Sequence, residues 1–257
     1  MILLLDIGNT RIKWARLAHG RRSAETPVTH RGRDVALLLS DLWHDLPSPQ
    51  RVVAACVAGE SLRAVLTAWC LEHWGVRPEY LVAAMEACGI RNGYRLPAQL
   101  GVDRWLSMIG ARQLPEASGQ PLCVVGCGTA LTVDMLSVTG QHLGGWIAPG
   151  VGLMRQQLEQ GTAVFAEGIA RSGVEDDFGH DSMEAAATGT AQAAAGMVMQ
   201  AMSLVRNRHG ISPVCVLTGG DASWLQPLLP MPVHVSQELV LSGMAVLLRE
   251  EEGRYSP

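Results

Sequence analysis

The sequence predicts an α/β protein built from two similar halves, and three observations carry that prediction. Strand-like apolar runs alternate with helical patterns along the chain. Two segments about 120 residues apart, LLLDIGNTRIKW and VVGCGTALTVDM, share one plan: an apolar strand, a glycine turn with a hydroxyl residue, and a second strand. The 257 residues are 48% hydrophobic and 17% charged, enough apolar sequence to bury one large core or two modest ones. The loop at 114–122 is the natural boundary, giving domains 1–115 and 116–257.

Each element has its own signal. Residues 3–7 form a buried apolar run, and 11–17 continue it through a short turn as a hairpin. VVAACVAG at 52–59 is a further strand, with Ser61 placed to cap the helix after it. PEYLVAA at 78–84 reads as a strand. Helical spacing of Val102, Leu106 and Ile109 predicts a helix over about 101–114. The strand–turn–strand of the second half comes next, followed by HLGGWIAPG and a helix from about 153. Alanine-rich 183–205 predicts a long helix, PVCVLTGGD a strand entering a turn, and LVLSGMAVLLREE a closing helix.

Composition excludes several classes. A net charge of -4 without a basic run argues against nucleic acid as a partner. The apolar start at 1–5 is too short for a signal peptide or a membrane span, so a soluble, cytoplasmic protein is expected. The six cysteines lack metal-ligand spacing and read as small buried hydrophobes. The seven tryptophans, Trp105 among them, read as packing residues, and His142, His180 and His234 as structural or surface groups. Met197, Met199 and Met202 read as core or interface filler on the long helix.

Three glycine turns at strand ends point to phosphate chemistry, because glycine admits close backbone approach and successive N–H groups form a nest for an anion. In DIGNT, Asp6 could hold a hydrated magnesium ion, Gly8 admit a phosphate, and Asn9 and Thr10 donate to its oxygens. Lys13 is the only lysine; the other 19 basic residues are arginine. Where every other position takes arginine, a retained lysine suits a site that needs a compact point charge. Chance survival on an exposed strand is the alternative. Asp103 falls in the first turn of its helix, where the dipole favours a carboxylate. Accepting a hydroxyl proton and stabilising the helix are equally open roles for it. Arg104 beside it could grip an anionic group bidentately. Neither a P-loop nor a GxGxxG fingerprint is present.

DIGNTRIK, NGYRLPAQLGVDRW, GTALTVD and HLGGWIAPG, in that order, resemble the type III pantothenate kinases, of the superfamily of acetate kinase, the sugar kinases, Hsp70 and actin. The match runs from Asp6 to the region of Gly243. The resemblance implies two actin-like (ribonuclease H-like) domains with mixed sheets, flanking helices and a cleft between them. It implies ATP-dependent phosphorylation of pantothenate, the first step of coenzyme A biosynthesis, by a homodimer with MgATP as donor. Asp103 matches the catalytic base. Asp6, Ile7, Gly8, Asn9, Thr10, Arg11, Ile12 and Lys13 match the first phosphate segment, and Thr129 a second ATP contact. Tyr94, Gly101, Val102, Asp103 and Arg104 match the pantothenate contacts, with Ser182 at a substrate-side threonine. Gly219 and Gly220 look like the adenosine-side turn.

One departure stands out. The family carries an aspartate two residues before the glycine of GTA, and that acid binds a monovalent cation, potassium or ammonium. Here the position is Gly126, so such a site would have to be rebuilt from carbonyls or another acid, of which Asp134 is one. The departure keeps a rival reading in play: a nucleotide-binding accessory or regulatory protein with little kinase activity. A kinase for a different hydroxyl substrate would differ only around Tyr94 and Arg104.

Overall fold

The computed structural model describes residues 1–165, 168–169, 178–210 and 212–255. They form two units, Met1–Gly110 with Leu239–Pro257, and Ala111–Glu238.

The first unit opens with β1 (Ile2–Ile7), whose residues from Leu3 onward are buried, and β2 (Arg11–Ala18) turns back on it antiparallel. β3 (Arg21–Ala24) and β4 (Val28–Thr29) both pair with β2. Helix α1 (Val35–Trp43) is capped by the Asp34 carboxylate, which accepts from Leu37 N–H at 3.2 Å. β5 (Arg51–Cys56) then lies parallel to β1. Helix α2 (Glu60–Trp74) starts from Gly59 in the left-handed region and ends on Gly75 in the αL conformation. Ser61 lies inside that helix, so its expected capping role is not observed. β6 (Glu79–Tyr80) is the only strand of the 78–84 run, parallel to β5. A small ribbon of β7 (Glu86–Ala87) and β8 (Ile90–Arg91) leads to α3 (Val102–Ala111).

Trp14, Trp43, Trp69 and Trp74 fill this unit's core, with Trp43 5.3 to 6.0 Å from the other three ring centroids. The edge-on pairs among them add about 1 kcal/mol each beyond area burial.

The second unit repeats the plan. β9 (Leu122–Cys127) is buried except at Gly126, β10 (Ala130–Leu136) pairs with it antiparallel, and β11 (His142–Pro149) with β10. Then come α4 (Val151–Gly161) and α5 (Ser182–His209), the latter capped by Asp181 on Glu184 N–H at 2.8 Å. β12 (Val214–Thr218) is parallel to β9, and α6 (Ala222–Leu225) precedes β13 (Val233–Val235), which is parallel to β12. The sheet orders are β3–β2–β1–β5–β6 and β11–β10–β9–β12–β13, with matching strand senses. This is the duplication that the two glycine-turn segments announce.

The last helix, α7 (Leu239–Tyr255), departs from the expected contiguous halves by returning to the first unit. Arg249 donates to Gly20 O (2.9 Å) and Arg22 to Ser242 Oγ (3.2 Å). Gly110 and Gly243 let α3 and α7 cross backbone to backbone, since a Cβ at Gly243 would strike Leu106 O and one at Gly110 would strike Leu239 O. An apolar helix pattern shows which face is buried but not which sheet receives it.

Five of the six cysteines are buried, and burial pushes the thiols of Cys70 and Cys127 up to about 12. Cys88 differs. It is partly buried with φ +52, and its backbone N–H and thiol both donate to Glu250 Oε2, at 2.7 and 3.0 Å.

Candidate active site

In the first unit the β1–β2 register sets Asp6 opposite Lys13. The Lys13 Nζ lies 3.9 Å from Asp6 Oδ2. Burial is the main influence on Asp6: it raises the carboxyl to about 6, Lys13 opposes the rise, and Asp103 adds to it. Asp6 therefore sits in a poorly solvated place with one cation at its edge and a second acid within electrostatic reach. That donor set fits a magnesium ion, which is held by one or two carboxylates, water and substrate phosphates rather than by an all-protein cage. Among the described residues there is no group of three or more His, Cys, Asp or Glu that could hold a metal.

The turn between the strands is tied by Gly8 N–H donating to Arg11 O at 3.1 Å. Asn9 and Arg11 are exposed and Thr10 is half-buried. Ile7 and Ile12 face the core, so only their backbone is available to a ligand.

Asp103 stands in the first turn of α3, and its Oδ1 accepts Arg104 N–H at 2.9 Å. A Cβ at Gly101 would lie 2.7 Å from that oxygen, which explains the glycine: it leaves the carboxylate its place. The side chain of Val102 is buried. Arg104 is buried too; it donates to Tyr94 Oη at 2.8 Å and lies 5.5 Å from the ring centroid. Trp105, 1% exposed, packs as expected.

Asn92 has no role in the sequence reading, yet it organises this loop. Its amide donates to Ala84 O and Pro97 O, and its Oδ1 accepts Tyr94 N–H at 2.9 Å. The Asn-Gly pair that opens the motif is the signal for such an Asx turn.

In the second unit three glycine turns are sewn together through backbone. Gly150 N–H donates to Thr129 O at 2.9 Å, and Asp221 N–H to Cys127 O at 3.1 Å. Gly150 and Gly219, the latter at φ +101, press so closely on residues 127–129 that a Cβ at either would collide with backbone. Beside them is a cavity of about 190 Å³ lined by Val151, Gly152, Arg155, Asp221 and Trp224. The Arg155 guanidinium lies 5.4 Å from the Trp224 ring and donates to Thr190 Oγ1. Arg155 and Trp224 carry no local sequence motif and become visible only in the fold. Thr129 is exposed on the first of the three turns, and Ser182 is exposed in the first turn of α5.

Gly126 pairs with Thr132 on one side and Thr218 on the other. A Cβ at Gly126 would fall 2.6 Å from Thr132 Oγ1, so a hydroxyl fills the space a side chain would need. Asp134 is not available as a substitute ligand. It is buried against His142, whose Nε2 is 3.0 Å from Asp134 Oδ1. Gly126 offers no carboxylate to a monovalent ion, and Asp134 is engaged by His142.

Two sheets of one topology, each with a glycine turn between its central strand and the next, define an actin-like fold of the sugar-kinase and ATPase type. Solved structures agree at the level of the fold. The chain is similar to a Campylobacter jejuni protein described as a Baf family transcriptional activator (TM-score 0.60, 19% identity, 98% of this chain and 99% of that one). It is also similar to a Clostridium difficile activator of 2-hydroxyisocaproyl-CoA dehydratase with bound ADPNP (TM-score 0.52, 14% identity, 100% and 98% covered).

Sequence comparison narrows the class. A model of the type III pantothenate kinase family matches residues 2–203. Relatives bearing that name are 40% identical in Aromatoleum aromaticum (98% of this chain, 99% of the relative) and 37% identical in Nitrosococcus oceani (97% and 94%). The chain belongs to the type III pantothenate kinase family.

Proposed function

We propose that this chain transfers the γ-phosphoryl group of ATP to the primary hydroxyl of pantothenate, giving 4'-phosphopantothenate for coenzyme A biosynthesis. The observation that carries the reading is the first-unit constellation: buried Asp6 beside the sole lysine, with Asp103 in electrostatic reach. Asp103 takes the hydroxyl proton as the new O–P bond forms and the bond from the γ-phosphorus to the bridging oxygen breaks, releasing ADP. Lys13 offsets charge on the transferring group. Arg104, oriented by Tyr94, faces the carboxylate of pantothenate. Asp6 would hold the magnesium of MgATP through its water shell, and the bound ion neutralises phosphate charge. The turns at Thr129 and Gly219 and the cavity at Trp224 suit the nucleotide, and Ser182 is assigned to the substrate side.

Turnover without a bound monovalent cation follows from the misfit at Gly126. A homodimer is part of the same reading. β11 is a sheet edge that exposes Leu143, Trp146 and Ile147, an apolar strip that a second copy would cover. Among the described residues no helix is long and apolar enough to cross a membrane, and we place the reaction in the cytoplasm.

The test is ADP release from MgATP with and without pantothenate. Pantothenate-dependent release that falls about 1,000-fold or more in Asp103→Asn, with MgADP binding retained, is the expected result. Nucleotide binding without such release in the unmodified chain would favour the accessory-protein reading.

A further inference from the structure

The hairpin turn between β1 and β2 is held from outside by one residue the proposed mechanism does not use. β4 lies along the start of β2, with Val28 opposite Ile12 and Thr29 opposite Arg11, and so delivers His30 beside the turn. The backbone N–H of His30 donates to Thr10 O at 3.1 Å. Its ring Nε2 is 2.8 Å from Gly8 O. A carbonyl oxygen only accepts, so Nε2 carries the proton in this contact. The residue is 7% exposed, which keeps water from competing for the bond.

Two carbonyls of the turn, two residues apart, are thus pinned by one side chain and its own backbone. In a planar trans peptide the C=O and the following N–H point in opposite directions. Pinning Gly8 O therefore turns the N–H of Asn9 away from the imidazole, and pinning Thr10 O does the same for the N–H of Arg11. A turn held this way presents donors in a fixed direction, which is what an anion nest requires.

We infer that His30 is a positioning residue for the donor nucleotide: it clamps the Gly8 and Thr10 carbonyls so that the turn's N–H groups face the phosphates of ATP. This rests on the reading of the Asp6–Lys13 segment as the phosphate turn. It adds a residue from the loop after β4 to the machinery, outside every motif that marks the site in the sequence.

The experiment compares His30→Ala, His30→Gln and His30→Asn. A glutamine amide nitrogen reaches the position of the imidazole Nε2, whereas asparagine is one bond shorter. MgADP binding by calorimetry reads the clamp without an acceptor, and steady-state kinetics gives the KM for MgATP and for pantothenate separately. Loss of one hydrogen bond predicts MgADP affinity and MgATP KM worse by about tenfold in the alanine and asparagine variants. Glutamine should recover most of that, with the pantothenate KM unchanged throughout. Unaltered nucleotide affinity in His30→Ala would overturn the inference. So would equal impairment of the glutamine and asparagine variants, which would mark the ring as packing only. If the unmodified chain binds MgADP but does not phosphorylate pantothenate, the functional reading fails while the calorimetric comparison still decides the clamp.

Discussion

Asp6 is a carboxylate held where its charge is poorly solvated. Its carboxyl stands at about 6 in the folded chain against an ordinary 3.8. Above pH 6 the group is charged in both folded and unfolded states, and the folded state bears the full cost of holding that charge away from water. As pH falls from 6 towards 4 the folded chain takes up a proton before the unfolded chain does, and the cost, about 3 kcal/mol, is relieved. Asp6→Asn should therefore raise the melting temperature of the nucleotide-free protein by about 6 °C or more at pH 7.5. At pH 5 the gain should shrink, and turnover should be lost at either pH. An equal thermal gain at both pH values would remove burial of the charge as its cause. Lys13 is the partner most legible in sequence, because nothing else in the chain is lysine. Lys13→Ala should lower kcat about 100-fold, and Lys13→Arg should recover little, because the arginine fork cannot take the position of a compact ammonium. Full activity in Lys13→Ala would return the residue to chance. The sequence showed Lys13 and Asp6 but not their pairing, which depends on a β1–β2 register set by the turn. Asn92 went unseen because its work is done through backbone partners at positions 84 and 97, which no local pattern reveals.

At the scale of elements, the placement of Asp103 depends on how α3 crosses α7. Gly243 makes that crossing possible, since any side chain there meets the backbone of α3. Gly243→Ala should destabilise the protein by about 2 kcal/mol or more and reduce turnover by displacing α3. Gly253 lies on the same helix with nothing within 4 Å, so Gly253→Ala should be neutral or slightly stabilising. Melting curves of the two variants check this directly, and equal effects would remove the crossing as the explanation. Helix α5 was legible almost to its ends, because a long alanine-rich run admits few other structures. β3, β4 and α1 were not anticipated. Two of them are strands of four residues or fewer, and α1 carries a nearly continuous apolar run from Val35 to Leu39 with little periodic contrast.

For the whole molecule, the internal repeat was legible because each copy keeps its strand–turn–strand core, and five strands of each sheet share one order, with β4 an addition to the first. The two copies differ where the chemistry would lie. Asp6 pairs with Lys13 in the first, and Gly126 pairs with Thr132 at the corresponding place in the second. The second copy thus holds no charge pair at this point, and the rate of pantothenate phosphorylation should be the same within about twofold in potassium, ammonium, sodium and choline salts of equal ionic strength. A clear rise in potassium or ammonium would contradict the misfit at Gly126 and pass the role to Asp221 on the neighbouring turn. The chain divides at Gly110, ahead of the polar, glycine-bearing loop at 114–122. The return of α7 was not readable, because periodicity has no long-range address.

That return also orders events during synthesis. The unit at Ala111–Glu238 is one continuous stretch, so all of its strands are translated before α7. The first unit lacks α7 until the whole of the second has been translated. Until then its β1–β2 hairpin and α3 have no partner at the face α7 covers, so the half that carries Asp6, Lys13 and Asp103 is completed last, although its strands are translated first.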